Sequence, residues 1–178
     1  FSVNVNPFGP APGVRPALAA YDPSSYPDRE VSELRTALAR LNGVDPQQVV
    51  VGNGTAELIW LAAHAFLQGR RALIIAPTFG EYERAAGVVG AQVENLILQP
   101  PDFRLEMAKI LSKLRAVRAD VVFLCNPNNP TGGLLEDTVV MEIADACAPG
   151  ILILDEAYRA FVTLNPFKSY ASAIFEKF

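Results

Sequence analysis

Four apolar residues, Ile151-Leu152-Ile153-Leu154, run without a break into Asp155-Glu156-Ala157-Tyr158. An uninterrupted apolar run of this length suits a strand buried on both faces of a parallel sheet. In open α/β sheets, ligands sit just beyond the carboxyl ends of the strands. Asp155 is therefore expected where the chain leaves the sheet. A carboxylate is costly to hold there unless a cation meets it. The rest of the chain has to supply the sheet around this strand and a site for that cation.

The sequence upstream alternates in period. Apolar, β-rich runs at 73–76, 93–98 and 121–124 are separated by segments with helical spacing, ending in a helix over 134–148. Strand alternating with helix predicts a parallel sheet covered on both faces. The intervening helices are expected from 77–80 to about 87 and over 103–117. A further helix over 55–67 is apolar nearly all round and is expected to be buried. Before it, Val31, Leu34, Leu38 and Leu41 predict an amphipathic helix over 28–41, ended by Gly43. The stretch 48–51 is short and β-branched. Residues 1–27 carry prolines at positions 7, 10, 12, 16, 23 and 27, which block regular helix, with Phe8, Leu18, Tyr21 and Tyr26 interleaved. They read as an extended arm packed on another surface, such as a second subunit.

Composition narrows the function classes. The chain has 178 residues, 51% hydrophobic and 19% charged, with a net charge of −4. These values describe a folded globular chain with no basic surface for nucleic acid or an anionic membrane. No apolar run approaches the roughly 20 residues of a membrane span, and the first residues lack a signal-peptide pattern. Cys125 and Cys147 are not spaced as metal ligands and are expected to be buried thiols in a cytoplasmic protein. His64, the single histidine, lies in an apolar stretch and reads as a core or surface residue. Ser-His-Asp hydrolysis and a multi-histidine metal site are both poorly served by this inventory. The form of 151–156 also suits a magnesium-binding nucleotide hydrolase, but that chemistry needs a Gly-x-x-x-x-Gly-Lys-Ser/Thr loop, and none occurs.

Several strand ends carry chemistry. Gly52 and Gly54 open the helix containing Thr55 and Ala56; this start is either an ordinary cap or an anion site built from free N–H groups. Phe79 follows the strand 73–76 and reads either as core or as a flat platform. The cluster Asn126-Pro-Asn-Asn129-Pro-Thr-Gly-Gly133 leaves the strand 121–124 with amide side chains that can donate and accept. Asp155 and Tyr158 follow the last strand. An anion site, an aromatic plate, an amide, a carboxylate and a phenol together describe a receptor. Its ligand is flat, phosphorylated and cationic at a ring nitrogen, and pyridoxal 5'-phosphate has all three features.

Six segments occur in a telling order: Asn6-Pro-Phe-Gly-Pro10, Tyr26-Pro-Asp28, Gly52-Asn-Gly-Thr-Ala-Glu57, Ala76-Pro-Thr-Phe-Gly-Glu-Tyr82, Asn126-Pro-Asn-Asn-Pro-Thr-Gly132 and Asp155-Glu-Ala-Tyr158. In this the chain resembles the class I/II (fold type I) aminotransferases, and most of all histidinol-phosphate aminotransferases and the related threonine-phosphate decarboxylases. The resemblance implies an α/β three-layer sandwich with a mostly parallel sheet, the large domain of a pyridoxal-phosphate-dependent transferase, incomplete here. It implies Asp155 on the pyridine nitrogen, Tyr158 and Asn129 on the ring hydroxyl oxygen, Phe79 against the ring, and Thr55 and Ala56 on the phosphate. Phe79 stands where the family often has tyrosine. The resemblance further implies Tyr26 on the phosphate of the other subunit's cofactor, so that a homodimer is part of the site, and Asn6 as a substrate contact. The substrates are expected to be a small amino acid or amine, with or without a phosphate group, and a 2-oxo acid.

The resemblance also implies a Schiff-base lysine one strand beyond Asp155. The lysines present are Lys109, Lys113, Lys168 and Lys177, none in that context. The expected position is on the order of ten residues past Phe178, allowing one more strand of ordinary length. The chain is thus expected to comprise an arm and first helix over 1–47 and part of the large cofactor-binding domain over 48–178. The remainder of that domain and the small domain are expected to be absent, and the 178 residues alone inactive. The alternatives are a threonine-phosphate decarboxylase-like enzyme and an inactive, dimerising fragment. Gly54-Thr-Ala-Glu-Leu-Ile59 and Thr78-Phe-Gly-Glu-Tyr-Glu-Arg84 lean toward the decarboxylase branch.

Overall fold

A computed structural model describes residues 4–163 and 169–171. Four strands, β1 (Arg71–Ala76), β2 (Gln92–Ile97), β3 (Val121–Cys125) and β4 (Ile151–Asp155), form one sheet in the order β2-β1-β3-β4. Every pair is parallel. The helices α4 (Glu81–Val88), α5 (Met107–Val117) and α6 (Asp137–Cys147) make the three crossovers that parallel pairing requires, and α3 (Gly54–Phe66) leads into β1.

The period-2 alternation of strand side chains sorts the core into two layers. Ala72 and Ile74 of β1, with Val121 and Phe123 of β3, face α3 and α4 through Ile59, Ala63, Tyr82, Ala85 and Ala86. Leu73 and Ile75, with Val122 and Leu124, face α5 and α6 through Ile110, Leu114, Val140 and Ile143. β3 is buried along its whole length, because it has a strand on each side and a helix layer on each face. Each of its large side chains contributes roughly 1.5–3 kcal/mol by leaving water.

The strand β4, expected to be buried on both faces, is only half-buried over residues 151–154. It is the edge of the sheet among the described residues, so one flank is open. Its side chains still alternate between the layers, Ile151 and Ile153 to one and Leu152 and Leu154 to the other. Similarly, α3 is not buried all round. Ile59 and Ala63 face the sheet, while Leu58, Leu61 and Phe66 are exposed.

Element starts differ from expectation where a side chain or a left-handed residue interrupts the helix. α2 (Ser32–Asn42) begins four residues after Asp28, because the Asp28 carboxylate accepts from the N–H groups of Glu30 and Ser32 and Val31 is left-handed at φ 49°. Phe103 is left-handed at φ 48°, which delays α5 to Met107. α6 starts at Asp137, because the backbone at Leu135 is tied to the Asn126 side chain. The arm is not wholly irregular: α1 (Val14–Ala20) accommodates Pro16 within its first turn, where no N–H partner is needed. Residues 46–48 form a 3₁₀ turn capped by Asp45, and 49–51 run outside the sheet.

Both cysteines are free and buried, and His64 is at the surface. Among the described residues, no helix is long and apolar enough to cross a membrane. Lys168 and Lys177 lie outside the described residues.

Candidate functional site

Strand order places a switch point between β1 and β3. From β1 the sheet grows outward to β2, and from β3 it grows the other way to β4. Loops leaving the carboxyl ends of β1 and β3 therefore diverge, opening a crevice of the kind in which α/β sheets hold ligands. Cys125 is the register partner of Asp155, so β3 and β4 end level with one another at that crevice.

A pocket of about 180 Å³ occupies this place, lined by Thr55, Ala56, Phe79, Cys125, Asn129, Asp155, Ala157 and Tyr158. Six of the eight residues singled out from sequence thus converge on one cavity. The other two do not reach it. Asn6 forms a local turn, donating to the Gly9 carbonyl and accepting from the Phe8 N–H. Tyr26 is fully exposed at 101%. A second pocket of about 520 Å³ adjoins the first, sharing Asn129 and Tyr158 and reaching Asn4, Leu134 and Phe161. A third cleft, about 680 Å³, lies at the amino ends of the strands and is lined by surface residues such as Arg70, Arg71, Arg115 and Arg118. Strand amino ends are the wrong place for a ligand in this architecture.

The wall formed by the amino end of α3 presents free N–H donors, with Glu57 in the same turn accepting from the Asn53 N–H. Its first-turn N–H groups at Thr55 and Ala56 have no intrahelical acceptor, and the Asn53 side chain does not cap them. Gly54 turns into the helix at φ 78°, a conformation that any side chain would strain. The helix dipole adds partial positive charge at the same point.

Asp155 forms the floor. Its Oδ2 accepts from the Tyr82 hydroxyl at 2.7 Å and its Oδ1 from the Ala157 N–H at 2.9 Å. Among the described residues, no lysine, arginine or histidine forms an ion pair with this buried carboxylate. A carboxylate held this way can accept from a cationic group on a ligand. Beside it, burial pushes the Cys125 thiol up, while the Tyr82 hydroxyl and the Asn129 N–H pull the other way. The Sγ–H donates to the Pro127 carbonyl at 3.2 Å.

Loops hold the remaining groups in place. Asn128 joins the β1 and β3 loops by donating to the Pro77 carbonyl and to Thr131 Oγ1 and accepting from Thr78 Oγ1. Asn126, wholly buried, exchanges two hydrogen bonds with the Leu135 backbone and closes the base of the Asn129 loop. After β4, Arg159 is buried against Asp137 at 3.3 Å and lies 5.4 Å over the Tyr170 ring. Tyr170 also donates to Asp137. Tyr158 accepts from Asn4 Nδ2 at 2.6 Å, which leaves its own O–H free to donate.

Asn4 and Tyr82 were not anticipated as site residues, whereas Asn126 and Asn128 belong to the amide cluster read from the sequence. Tyr82 had a readable signal, since residues 82, 85 and 86 share the buried face of α4. Its partner lies 73 residues away, and spacing does not reveal that.

Known proteins agree with this geometry. The family described as aminotransferase class I and II matches residues 1–176. The histidinol-phosphate aminotransferase of Ruminiclostridium cellulolyticum is 34% identical over 96% of this chain and 51% of its own length. The threonine-phosphate decarboxylase of Salmonella typhimurium is 39% identical over 91% of this chain and 45% of its own. Among solved structures, histidinol-phosphate aminotransferase from Sinorhizobium meliloti, determined in complex with pyridoxal 5'-phosphate, superposes with a TM-score of 0.78. It is 28% identical, with 93% of this chain and 45% of that one covered. The chain spans about half the length of the curated relatives it matches. Sequence match and strand-end geometry together place the chain in the class I and II aminotransferase family.

Proposed function

We propose that the crevice binds pyridoxal 5'-phosphate and forms part of an aminotransferase acting on a small amino acid or amine, with or without a phosphate group, and a 2-oxo acid. The observation that carries this reading is Asp155, a buried carboxylate with donors on both oxygens and no cationic partner among the described residues. A protonated pyridine nitrogen supplies that cation. The other walls fit the same molecule. Thr55 and Ala56 offer N–H groups at a helix amino end to a phosphate. Phe79 offers a ring for stacking, and Asn129 and Tyr158 offer polar groups to a ring oxygen.

When bound, the cofactor supplies an electron sink for charge developing at the substrate's α-carbon. The chain's own residues hold and orient. Asp155 keeps a proton on the ring nitrogen, and Tyr158 donates while Asn4 steadies it from the arm. The adjoining cavity beside Asn129 and Tyr158 gives substrate a route in.

Lys168 and Lys177 lie outside the described residues. Lys109 pairs with Glu106 and Lys113 with Glu94 on α5, and neither lines the pocket. We therefore expect the 178-residue sequence by itself to bind cofactor without turning over an amino donor. The exposed Phe8, Leu18 and Tyr26 of the arm, with Leu61 and Phe66 of α3, form apolar surface suited to a second subunit of a homodimer, in which Tyr26 would approach the partner's site.

Decarboxylation is the second reading, because relatives named for each activity are comparably similar. Incubating the full-length protein with pyridoxal 5'-phosphate and either histidinol phosphate or threonine phosphate separates the two. An oxo product formed only in the presence of a 2-oxo acid supports transamination. Release of carbon dioxide from threonine phosphate supports decarboxylation. Turnover by the 178-residue chain alone contradicts the expected need for a further lysine.

A further inference from the structure

We propose that Tyr82 is a positioning residue for Asp155, fixing the carboxylate so that it accepts, and does not take, the proton of a cationic ring nitrogen. This rests on the pyridoxal-phosphate reading above and extends it to a residue outside the pocket lining.

Tyr82 is fully buried, and its hydroxyl meets Asp155 Oδ2 at 2.7 Å. The ring has little freedom. It stacks on Phe123, with centroids 5.0 Å apart and planes 10° apart, and meets the edge of Phe79 at 5.8 Å and 87°. One tyrosine therefore touches the aromatic wall and the acidic floor of the same pocket. Burial, together with the carboxylate it donates to, holds the phenol far above the ordinary tyrosine range.

A carboxylate has about four lone-pair sites. Tyr82 and the Ala157 N–H occupy one on each oxygen, which pins the plane of the group. The sites left can only accept, and they are available to the pocket that Asp155 lines. A hydroxyl donating to a carboxylate favours its charged form over the acid, and with it a proton resident on the partner. Removing the hydroxyl frees both the orientation and the lone pair.

The test uses Tyr82→Phe in the full chain, which keeps both ring contacts, with thermal unfolding to verify that the fold is retained. Pyridoxal 5'-phosphate carrying ¹⁵N in its ring is bound to wild type and variant, and the ring-nitrogen resonance is read by NMR. The expected result is a protonated nitrogen in wild type and a shift toward the unprotonated position in the variant, with affinity about tenfold weaker, the size of a lost hydrogen bond to a charged group. A cofactor analogue with carbon in place of the ring nitrogen should lose less than about twofold, because it has no proton for Asp155 to hold. An unchanged nitrogen resonance overturns the inference, as does an equal loss of cofactor and analogue, which marks a purely structural role. If the variant no longer retains the cofactor but keeps the analogue, the inference stands. Failure of wild type to bind either ligand is a different outcome: it overturns the pyridoxal-phosphate reading itself.

Discussion

Thr78 and Asn128 are joined across the switch point of the sheet: Thr78 Oγ1 donates to Asn128 Oδ1 at 2.8 Å. Asn128 Nδ2 answers by donating to the Pro77 carbonyl at 2.9 Å and to Thr131 Oγ1 at 2.8 Å. The loop carrying Phe79 and the loop carrying Asn129 are thus one unit, although they lie about fifty residues apart in the chain. A carboxylate cannot reproduce this arrangement, because it has no donor for the Pro77 carbonyl. Asn128→Asp should cost about 2–3 kcal/mol, the scale of an unpaired buried polar group. Urea denaturation of the variant checks this. A loss below about 0.5 kcal/mol would show that the two loops are held by something else.

Gly150 should be the least replaceable glycine in the chain. A Cβ there would lie 2.7 Å from the Ala119 carbonyl oxygen, 2.9 Å from that of Cys147 and 3.0 Å from that of Asp120. All three are backbone atoms and cannot swing aside. Gly150 also donates to the Cys147 carbonyl just before β4 begins. Gly150→Ala should destabilise by about 2–3 kcal/mol, as overpacking at rigid sites does. Gly54→Ala makes the contrast, since nothing lies near its Cβ and only the cost of φ 78° applies, about 1 kcal/mol. Thermal unfolding of both variants should rank them in that order.

Cys147 gives the fold an alkaline limit. Burial pushes its thiol from 9.0 up to about 11. The folded chain therefore holds this proton more tightly than the unfolded chain. The associated stability is intact below pH 9 and is lost as the pH rises toward 11. A shift of this size corresponds to about 2–3 kcal/mol across the window. Urea midpoints measured at intervals from pH 8 to pH 11 should fall more steeply for wild type than for Cys147→Ala. Parallel curves would contradict it.

Much of the fold was legible because period and punctuation agree. Strand runs of four to six residues alternate with helical spacing, and β1 to β4 fall where the sequence puts them. What was not legible is what depends on neighbours distant in the chain. Composition alone cannot show that Ile151–Leu154 sits at an edge of the described sheet, since an apolar run reads the same with one flanking strand or two. The outer face of α3 looks like core in sequence because Leu58, Leu61 and Phe66 are apolar, yet the described chain leaves them open. At the site, motif order brought out Thr55, Phe79, Asn129, Asp155 and Tyr158, all of which line one pocket. Tyr82 stayed hidden because a buried tyrosine on a helix face looks like packing until its hydroxyl is seen against a carboxylate. Asn4 carries no motif that marks it, and its hydrogen bond to Tyr158 spans 154 residues; Asn6 donates to the Gly9 carbonyl within its own turn.

The most direct test of the account is equilibrium binding of pyridoxal 5'-phosphate to the full chain, compared with Asp155→Ala and with Lys109→Gln/Lys113→Gln. Wild type should bind one cofactor per chain saturably, and the double lysine variant should bind alike. Loss of the charged partner in Asp155→Ala should weaken binding at least about tenfold. Equal affinity in wild type and Asp155→Ala, or binding that disappears with the two surface lysines, would contradict the assignment of this crevice as the cofactor site.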